Sequence, residues 1–303
     1  MYDLVIIGGG PAGLTAGIYA QRAMLKTVLI EKEFIGGQIA VSDVIENYPG
    51  FPSTSGPLLM EKFEAHARGL GLQIEFREVS DIEMEGNIKV VKTTEGDLRT
   101  KAVIIATGAK PRRLGVPGEK EFTGKGVSYC ATCDGPFFRS QKVLVAGGGD
   151  TAVKEAMYLS RIAAHITIVH RRDKFRAEKV LIEKMESAGN IEILRSHILK
   201  EVIGAGGVVK AALVEDLKAG GLKELDVQGV FIFVGVNPTT DFAPVDKDES
   251  GFIKTDSRMQ TSVAGIFAAG DCRITPLKQV ATSVGDGAIA AVSAEAYIDA
   301  GIF

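Results

Sequence analysis

The sequence predicts an α/β protein made of two copies of one strand–turn–helix–strand unit, the second nested inside the first. Three observations carry that prediction. A glycine-rich turn joins an apolar strand to a helix near the start, and the same pattern recurs when Gly8 is slid onto Gly147. A C-terminal strand and helix are then too small to form a domain of their own. At 303 residues the chain is long enough for about two domains.

Leu4-Val-Ile-Ile opens the first copy as a buried parallel-strand run, and Gly8, Gly10 and Gly13 follow as G-x-G-x-x-G. Leu14–Arg22 is helix-compatible, Thr27-Val-Leu-Ile30 reads as the next strand, and Glu31 closes it. Strand, glycine turn, helix, strand and acid in this order form a Rossmann-like dinucleotide fingerprint. The glycines let the backbone approach a pyrophosphate, which meets the amide donors and the positive end of the helix. A carboxylate at Glu31 accepts hydrogen bonds from ribose hydroxyls but repels a 2′-phosphate. This copy therefore predicts an adenine nucleotide with a free 2′-hydroxyl, such as FAD or NAD.

In the second copy Lys142–Ala146 is a strand, and Gly147, Gly149 and Ala152 form G-x-G-x-x-A. Val153–Arg161 is helix-compatible and His165–His170 is the following strand. Glu31 here falls on His170, with Arg171, Arg172 and Arg176 behind it. Guanidinium groups bind phosphate through forked, charge-assisted bonds, so this copy predicts NADPH. A solvated basic face is the competing account of the three arginines.

Ala102–Gly108 and Gly229–Gly235 are apolar strands ending in glycine, followed by Lys110-Pro111 and Asn237-Pro238. Gly265–Asp271 reads as a buried strand ending in Gly270-Asp271, and Val280–Ala300 as a helix of small residues. This last pair completes the first copy and makes the second an insertion. The chain is expected to cross near Pro111–Gly118 and Asn237–Pro244, where Pro and turn residues cluster. The expected domains are 1–112, 113–242 and 243–303, the middle one inserted.

A net charge of -3 without a long basic tract argues against nucleic acid. No run of 18 uncharged apolar residues occurs, so no membrane span is expected. The first residues enter a strand with no basic leader ahead of it, and a cytoplasmic protein is the default expectation. Three cysteines are too few for a disulfide framework. Cys130-Ala-Thr-Cys133 instead signals redox chemistry or half of a metal site. The latter needs four ligands, and Cys272, His66, His165, His170 and His197 form no second close pair, so no metal is expected. Cys272 reads as a small apolar filler.

Several motifs stand in a recognisable order: Gly36-Gly37-Gln38, Glu46-Asn47-Tyr48-Pro49-Gly50, Ala106-Thr107-Gly108-Ala109 and Cys130-Ala-Thr-Cys133-Asp134-Gly135. Gly147–Ala152, His170-Arg-Arg-Asp173, Ala269-Gly270-Asp271 and Lys278-Gln279 continue it. On these motifs the chain resembles, essentially end to end, the bacterial low-molecular-weight thioredoxin reductases. The resemblance implies FAD at Gly8, Gly10, Pro11, Ala12, Gly13, Glu31, Lys32, Gly36, Gly37, Gln38, Asn47, Thr107, Gly108, Gly270, Asp271, Lys278, Gln279 and Val280. It implies NADPH at Gly147, Gly149, Asp150, Thr151, Ala152, His170, Arg171, Arg172 and Arg176. A homodimer with thioredoxin as protein substrate is implied as well. Two departures stand out. Thr151 replaces a common Ser, and Lys278-Gln279-Val280 replaces Arg-Gln-Ala, so hydroxyl and positive charge both survive.

Cys130, Cys133 and Asp134 are the catalytic candidates. The resemblance makes Cys133 the thiol beside the flavin and Cys130 the one that attacks thioredoxin. A thiolate is the nucleophile in such exchange, and the departing sulfur needs a proton. Asp134 is adjacent and suited to exchange it, a plain turn carboxylate before Gly135-Pro136 being the other account. The family's geometry further implies that the inserted domain rotates, so that nicotinamide and disulfide alternate at one flavin face. A reductase of another thioredoxin-like or glutaredoxin-like carrier remains the alternative. Oxygen-using dithiol oxidases and ferredoxin-driven relatives should lack the second fingerprint and its arginines. Flavin-bearing ferredoxin–NADP electron-transfer proteins need no Cys-x-x-Cys.

Overall fold

Apolar runs become strands and glycine turns start helices in the computed structural model, which describes residues 1–42 and 45–301. The chain begins β1 (Tyr2–Ile7), α1 (Pro11–Arg22), β2 (Thr27–Glu31), α2 (Gly56–Gly69), β3 (Gln73–Phe76), β4 (Val79–Glu85), β5 (Ile88–Thr93) and β6 (Leu98–Ile105). A connecting strand, β7 (Ala109–Pro111), leads to β8 (Val127–Ser128), the short α3 (Ala131–Asp134), β9 (Lys142–Gly147) and α4 (Asp150–Leu159). Next come β10 (His165–His170), α5 (Lys179–Glu186), β11 (Ile191–Arg195), β12 (His197–Ala205), β13 (Val208–Asp216), β14 (Leu222–Asp226) and β15 (Gly229–Phe233). The return runs through β16 (Val236–Pro238) to β17 (Ile266–Ala268) and α6 (Val280–Asp299).

These elements pack as two compact units, Met1–Lys110 with Asn237–Phe303, and the inserted Pro111–Val236. The crossings thus fall earlier than the expected 112/113 and 242/243. Polar and apolar contacts explain the shift. Thr239 N donates to Gly108 O at 3.1 Å and Thr107 Oγ1 to Thr239 O at 2.6 Å. Phe242 and Ala243 join Val5, Ile7 and Val103 in one apolar cluster of the first unit.

Among the described residues, the first unit's sheet runs β3-β2-β1-β6-β5-β4, with β17 also on β6. β6 pairs antiparallel with β5 through Leu98–Thr100 and parallel with β17 through Val103–Ile105. β1, β2 and β3 are parallel to it. β1 and β2 are buried and apolar on both faces over Leu4–Ile7 and Val28–Ile30, as strands covered on both sides must be, while the edge strand β3 carries Gln73 and Glu75. The predicted strand 265–271 is strand only over Ile266–Ala268. Gly270, at φ +76°, turns the chain into a 3-10 turn over Gly270–Cys272. Both predicted helices after the glycine turns start about one turn earlier, at Pro11 and Asp150. Pro11 suits that place, since its missing N–H is one that no helix could use.

α6 opens with a capping box between Gln279 and Thr282 and lies against α1. Ala290, Ala291 and Ala294 enter the same cluster as Ala12 and Ala16 of α1. Glycine is required where the helices come closest, because a Cβ on Gly287 would stand 2.2 Å from Ala12 O. A buried lysine, Lys89, occupies the same unit. Its ammonium donates to Asn87 O and Tyr297 Oη, both at 2.9 Å, and burial pushes its pKa down to about 8.

The second unit carries the parallel sheet β11-β10-β9-β15-β8 and the antiparallel sheet β12-β13-β14, among the described residues. Among the described residues, no helix is long and apolar enough to cross a membrane.

The α1–α6 contact generates a paired prediction. Gly287→Ala should destabilise the protein by about 1–3 kcal/mol through overpacking. Gly285→Ala, on the same helix with open space around it, should be stabilising by about 0.5–1 kcal/mol. Urea unfolding of both variants checks this, and equal effects would mean the helices do not approach as described.

Candidate active site

At the first glycine turn, Gly8 has φ +111° and a Cβ there would stand 2.4 Å from Ala106 O. A Cβ on Gly13 would stand 1.9 Å from Gly8 O, so α1 seats directly on the end of β1. Gly10 meets nothing within 4 Å of its Cβ position, and Gly37 meets Gly10 Cα at 3.8 Å. Glu31 reaches into this turn. Its carboxylate accepts from Gly9 N at 2.7 Å, Lys32 N at 2.8 Å and Glu33 N at 2.9 Å. Lys32 itself turns its ammonium to Glu78 at 2.6 Å. Pro11 and Ala12 begin α1, while Gly36 and the exposed Gln38 flank Gly37 on a 3-10 turn.

The C-terminal segment brings further candidates to the first unit. Asn47 Nδ2 donates to Gln279 Oε1 at 3.0 Å, and Val280 is buried with Ile45, Leu59 and Met60. Lys278 Nζ donates to Asp271 O at 3.0 Å and lies over the Phe252 ring, 4.2 Å from its centroid. Burial lowers the Lys278 pKa and raises that of Asp271. Thr107 and Gly108 bond Thr239, as described above.

Asp286 and Arg273 were not singled out by the sequence. Arg273 grips Asp286 through two bonds, Nε to Oδ2 at 2.7 Å and Nη2 to Oδ1 at 2.8 Å. Asp286 also accepts from Gly270 N at 3.1 Å, so this pair sets the Gly270-Asp271 turn. The available signal was a lone acid among the otherwise uncharged residues 280–294 of α6.

At the second turn a Cβ on Gly147 would stand 2.5 Å from Phe233 O, and Gly149 is open. Thr151 is exposed and Ala152 fully buried. Asp150 accepts from Glu178 N at 2.9 Å, and Arg176 N donates to Gly148 O at 2.8 Å. His170 is buried, stacks on Phe175 and donates from Nε2 to Lys174 O at 3.0 Å. Burial, with Arg176, Arg172 and Arg171 adding like charge, lowers its pKa, so the ring is neutral at pH 7. Arg171, Arg172 and Arg176 are exposed. The next carboxylate, Asp173, is engaged by Lys218 and Ser196.

In the same unit, β8 runs into the redox turn. Cys130 and Cys133 form a disulfide with Cα atoms 5.3 Å apart. Cys133 N donates to Cys130 Sγ at 3.2 Å. Asp134 N donates to Cys130 O at 3.1 Å, and the Asp134 carboxylate accepts from Ser128 Oγ at 2.5 Å. Glu119 braces the preceding residue: it accepts from Tyr129 Oη at 2.8 Å and from the amides of Leu114, Gly115 and Val116. On the α4 side, burial raises the Glu155 carboxyl pKa beside the Ala131 amide. Neither Ser128, Glu119 nor Tyr129 was expected from the sequence.

Cys272 lies in the first unit's core, donating to Ile105 O and Ala269 O, both at 3.3 Å. Among the described residues no His/Cys/Asp/Glu group is arranged to hold a metal.

The chain matches the family model described as pyridine nucleotide-disulphide oxidoreductase over residues 2–287. It is 45% identical to the thioredoxin reductase of Peptoclostridium acidaminophilum, covering 99% of this chain and 98% of that one. It is 43% identical to the thioredoxin reductase of Bacillus subtilis, covering 99% and 95%. The crystal structure of thioredoxin reductase from Streptococcus pyogenes superposes with a TM-score of 0.95 at 44% identity, covering 99% of both chains.

The geometry separates the cysteines by reactivity. Burial pushes the Cys272 thiol up to about 11, so it stays protonated and shielded at pH 8. Iodoacetamide at pH 8 should therefore label the reduced native protein at Cys130 and Cys133 and spare Cys272 until denaturant is added. Mass spectrometry of the digests reads this out; prompt labelling of Cys272 in the native state would refute it.

Proposed function

We infer from its place among the pyridine nucleotide-disulphide oxidoreductases, the family to which the chain belongs, that it is an NADPH-dependent thioredoxin-disulfide reductase using FAD. The observation that carries the reading is the Cys130–Cys133 disulfide in one unit with a glycine turn flanked by three exposed arginines.

The residues fit both nucleotides. At the first turn, open space at Gly10 and Gly37 lets a pyrophosphate approach the start of α1. Glu31 spends its bonds on three amides, and a carboxylate with about four acceptor sites keeps capacity for a ribose hydroxyl. Lys278, Gln279 and Val280 at the head of α6 are the residues we assign to the flavin end. At the second turn, Gly149 is open and the carboxylate of the first copy gives way to a neutral imidazole. Arg171, Arg172 and Arg176 are then the residues for a 2′-phosphate. When bound, these cofactors supply hydride and deliver an electron pair to a disulfide.

The chain's own residues then handle sulfur and proton. The Cys133 amide points at Cys130 Sγ and favours a thiolate there, which supports Cys130 as the attacking sulfur. Asp134 takes the Cys130 proton. The Cys130 thiolate attacks one sulfur of the thioredoxin disulfide, a mixed disulfide forms, and the other thioredoxin sulfur leaves with the proton from Asp134. Cys133 next gives its proton to Asp134 and attacks Cys130 Sγ, restoring the internal disulfide. The second thioredoxin sulfur leaves with that proton, so thioredoxin is released as a dithiol. The reductase dithiol is oxidised and thioredoxin is reduced by the same two electrons. A homodimer in a reducing cytoplasm belongs to the same reading, supported by the resemblance and by the scarcity of cysteine.

NADPH consumption by FAD-loaded protein should depend on added thioredoxin, and Cys133→Ser should abolish it. Thioredoxin reduction that survives in Cys133→Ser would exclude the relay. Arg171→Ala with Arg172→Ala should raise the KM for NADPH about a hundredfold, the loss of two charge-assisted bonds, while leaving the KM for NADH within roughly threefold. Steady-state kinetics with both nucleotides decides it, and equal losses would remove the phosphate assignment.

A further inference from the structure

Ser128 is 4% exposed, so water does not solvate its hydroxyl and the protein must supply its partners. Three polar atoms surround it. Cys130 N donates to Oγ at 3.1 Å; Asp134 Oδ2 stands at 2.5 Å and Cys130 O at 3.2 Å. A serine hydroxyl carries one hydrogen and two lone pairs, and one lone pair is always taken by the Cys130 amide. Two arrangements of the rest are possible, and each matches one protonation state of Asp134. When Asp134 is ionised, the hydroxyl donates to Oδ2, the shorter and charge-assisted contact. When Asp134 is protonated, its own O–H donates into the second lone pair, and the serine hydrogen turns to Cys130 O. Every donor is satisfied in both states without any backbone movement.

We propose that Ser128 is the positioning residue for proton transfer at the redox pair, holding the Asp134 carboxyl in one orientation whether it carries the proton or not. The inference rests on the reading of Asp134 as the acid–base group. Both residues flank the disulfide on a rigid segment: Ser128 is anchored by β8 pairing with β15, and Asp134 N is bonded to Cys130 O. Alanine at 128 removes the orienting bond in either state. Threonine retains a hydroxyl on the same backbone position.

Steady-state reduction of thioredoxin by the FAD-loaded enzyme tests this. Ser128→Ala should lower kcat about tenfold, the loss of one hydrogen bond to a charged group, with the KM for thioredoxin within roughly twofold. Ser128→Thr should restore kcat to within roughly threefold of wild type. In an Asp134→Asn background, Ser128→Ala should add no further loss, because residues that act through one another are not additive. Losses that multiply in the double variant, wild-type kcat in Ser128→Ala, or a threonine variant as slow as alanine would each overturn the proposal. If Ser128→Ala does not fold, Ser128→Thr against Ser128→Val makes the same comparison at matched shape; equal rates overturn it and a tenfold gap supports it. An Asp134→Asn enzyme that reduces thioredoxin at full rate would instead sink the acid–base reading itself.

Discussion

Backbone packed on backbone, at two glycine turns, is the constraint from which the rest of the structure follows. At the end of β1 the positions that a Cβ would fill lie 2.4 Å from Ala106 O and 1.9 Å from Gly8 O. At the end of β9 the corresponding approach is to Phe233 O, 2.5 Å. Any side chain there would push the helix off the strand. With none, α1 and α4 start directly at the carboxyl edge of their sheets, and their free amides face the space left open at Gly10 and Gly149. The parallel sheets owe their order to the same contacts, because each turn fixes where its helix crosses back.

The redox turn is built on a different principle. α3 is a single turn of four residues, too short to hold a reactive geometry by itself. Its shape comes from buried polar partners instead. Ser128 and the Cys130 amide fix the entry, the Asp134 amide closes on Cys130 O, and Glu119 ties Tyr129 to Leu114–Val116 through its carboxylate. Such networks are stable only when every member is satisfied, which also makes them specific. The chain thus spends apolar packing on its sheets and hydrogen bonds on its chemistry.

Periodicity and spacing made the first principle legible and left the second hidden. Apolar runs, glycine turns and the shift from Gly8 to Gly147 are local patterns, and β10 and α6 could be bounded almost to the residue from them. Cys130 and Cys133 were legible for the same reason. Ser128, Glu119 and Asp286 were not, because each acts through a partner several residues away with no fixed spacing. Lys89 is the extreme case. Its partner Tyr297 lies 208 residues further on, and Gly265 supplies the room for its ammonium. The domain crossings were placed late because Thr239–Ala243 read as a linker. Its hydrogen bonds to Thr107 and Gly108 could be known only once the sheet was assembled.

The two copies diverge at the residue that touches the middle glycine of each turn, and the proposed difference in nucleotide preference starts there. In the first copy Gly9 N donates to Glu31, so the acid is a structural member of the turn as well as a candidate partner for ribose. In the second, the His170 ring fills the corresponding space, its Nδ1 2.0 Å from where a Gly148 Cβ would stand. That ring is held neutral by burial and by the three guanidiniums, and its proton is committed to Lys174 O. The imidazole therefore adds no charge of its own. It occupies the place where a carboxylate would oppose an anion, and Arg171, Arg172 and Arg176 add positive charge around it. Asp173, which would otherwise weaken that field, is paired with Lys218. On the proposed assignment, a preference for phosphate arises where Glu31 gives way to His170, Glu33 to Arg172 and Gly37 to Arg176, while Arg171 keeps the charge of Lys32 and one salt bridge keeps the neighbouring acid occupied.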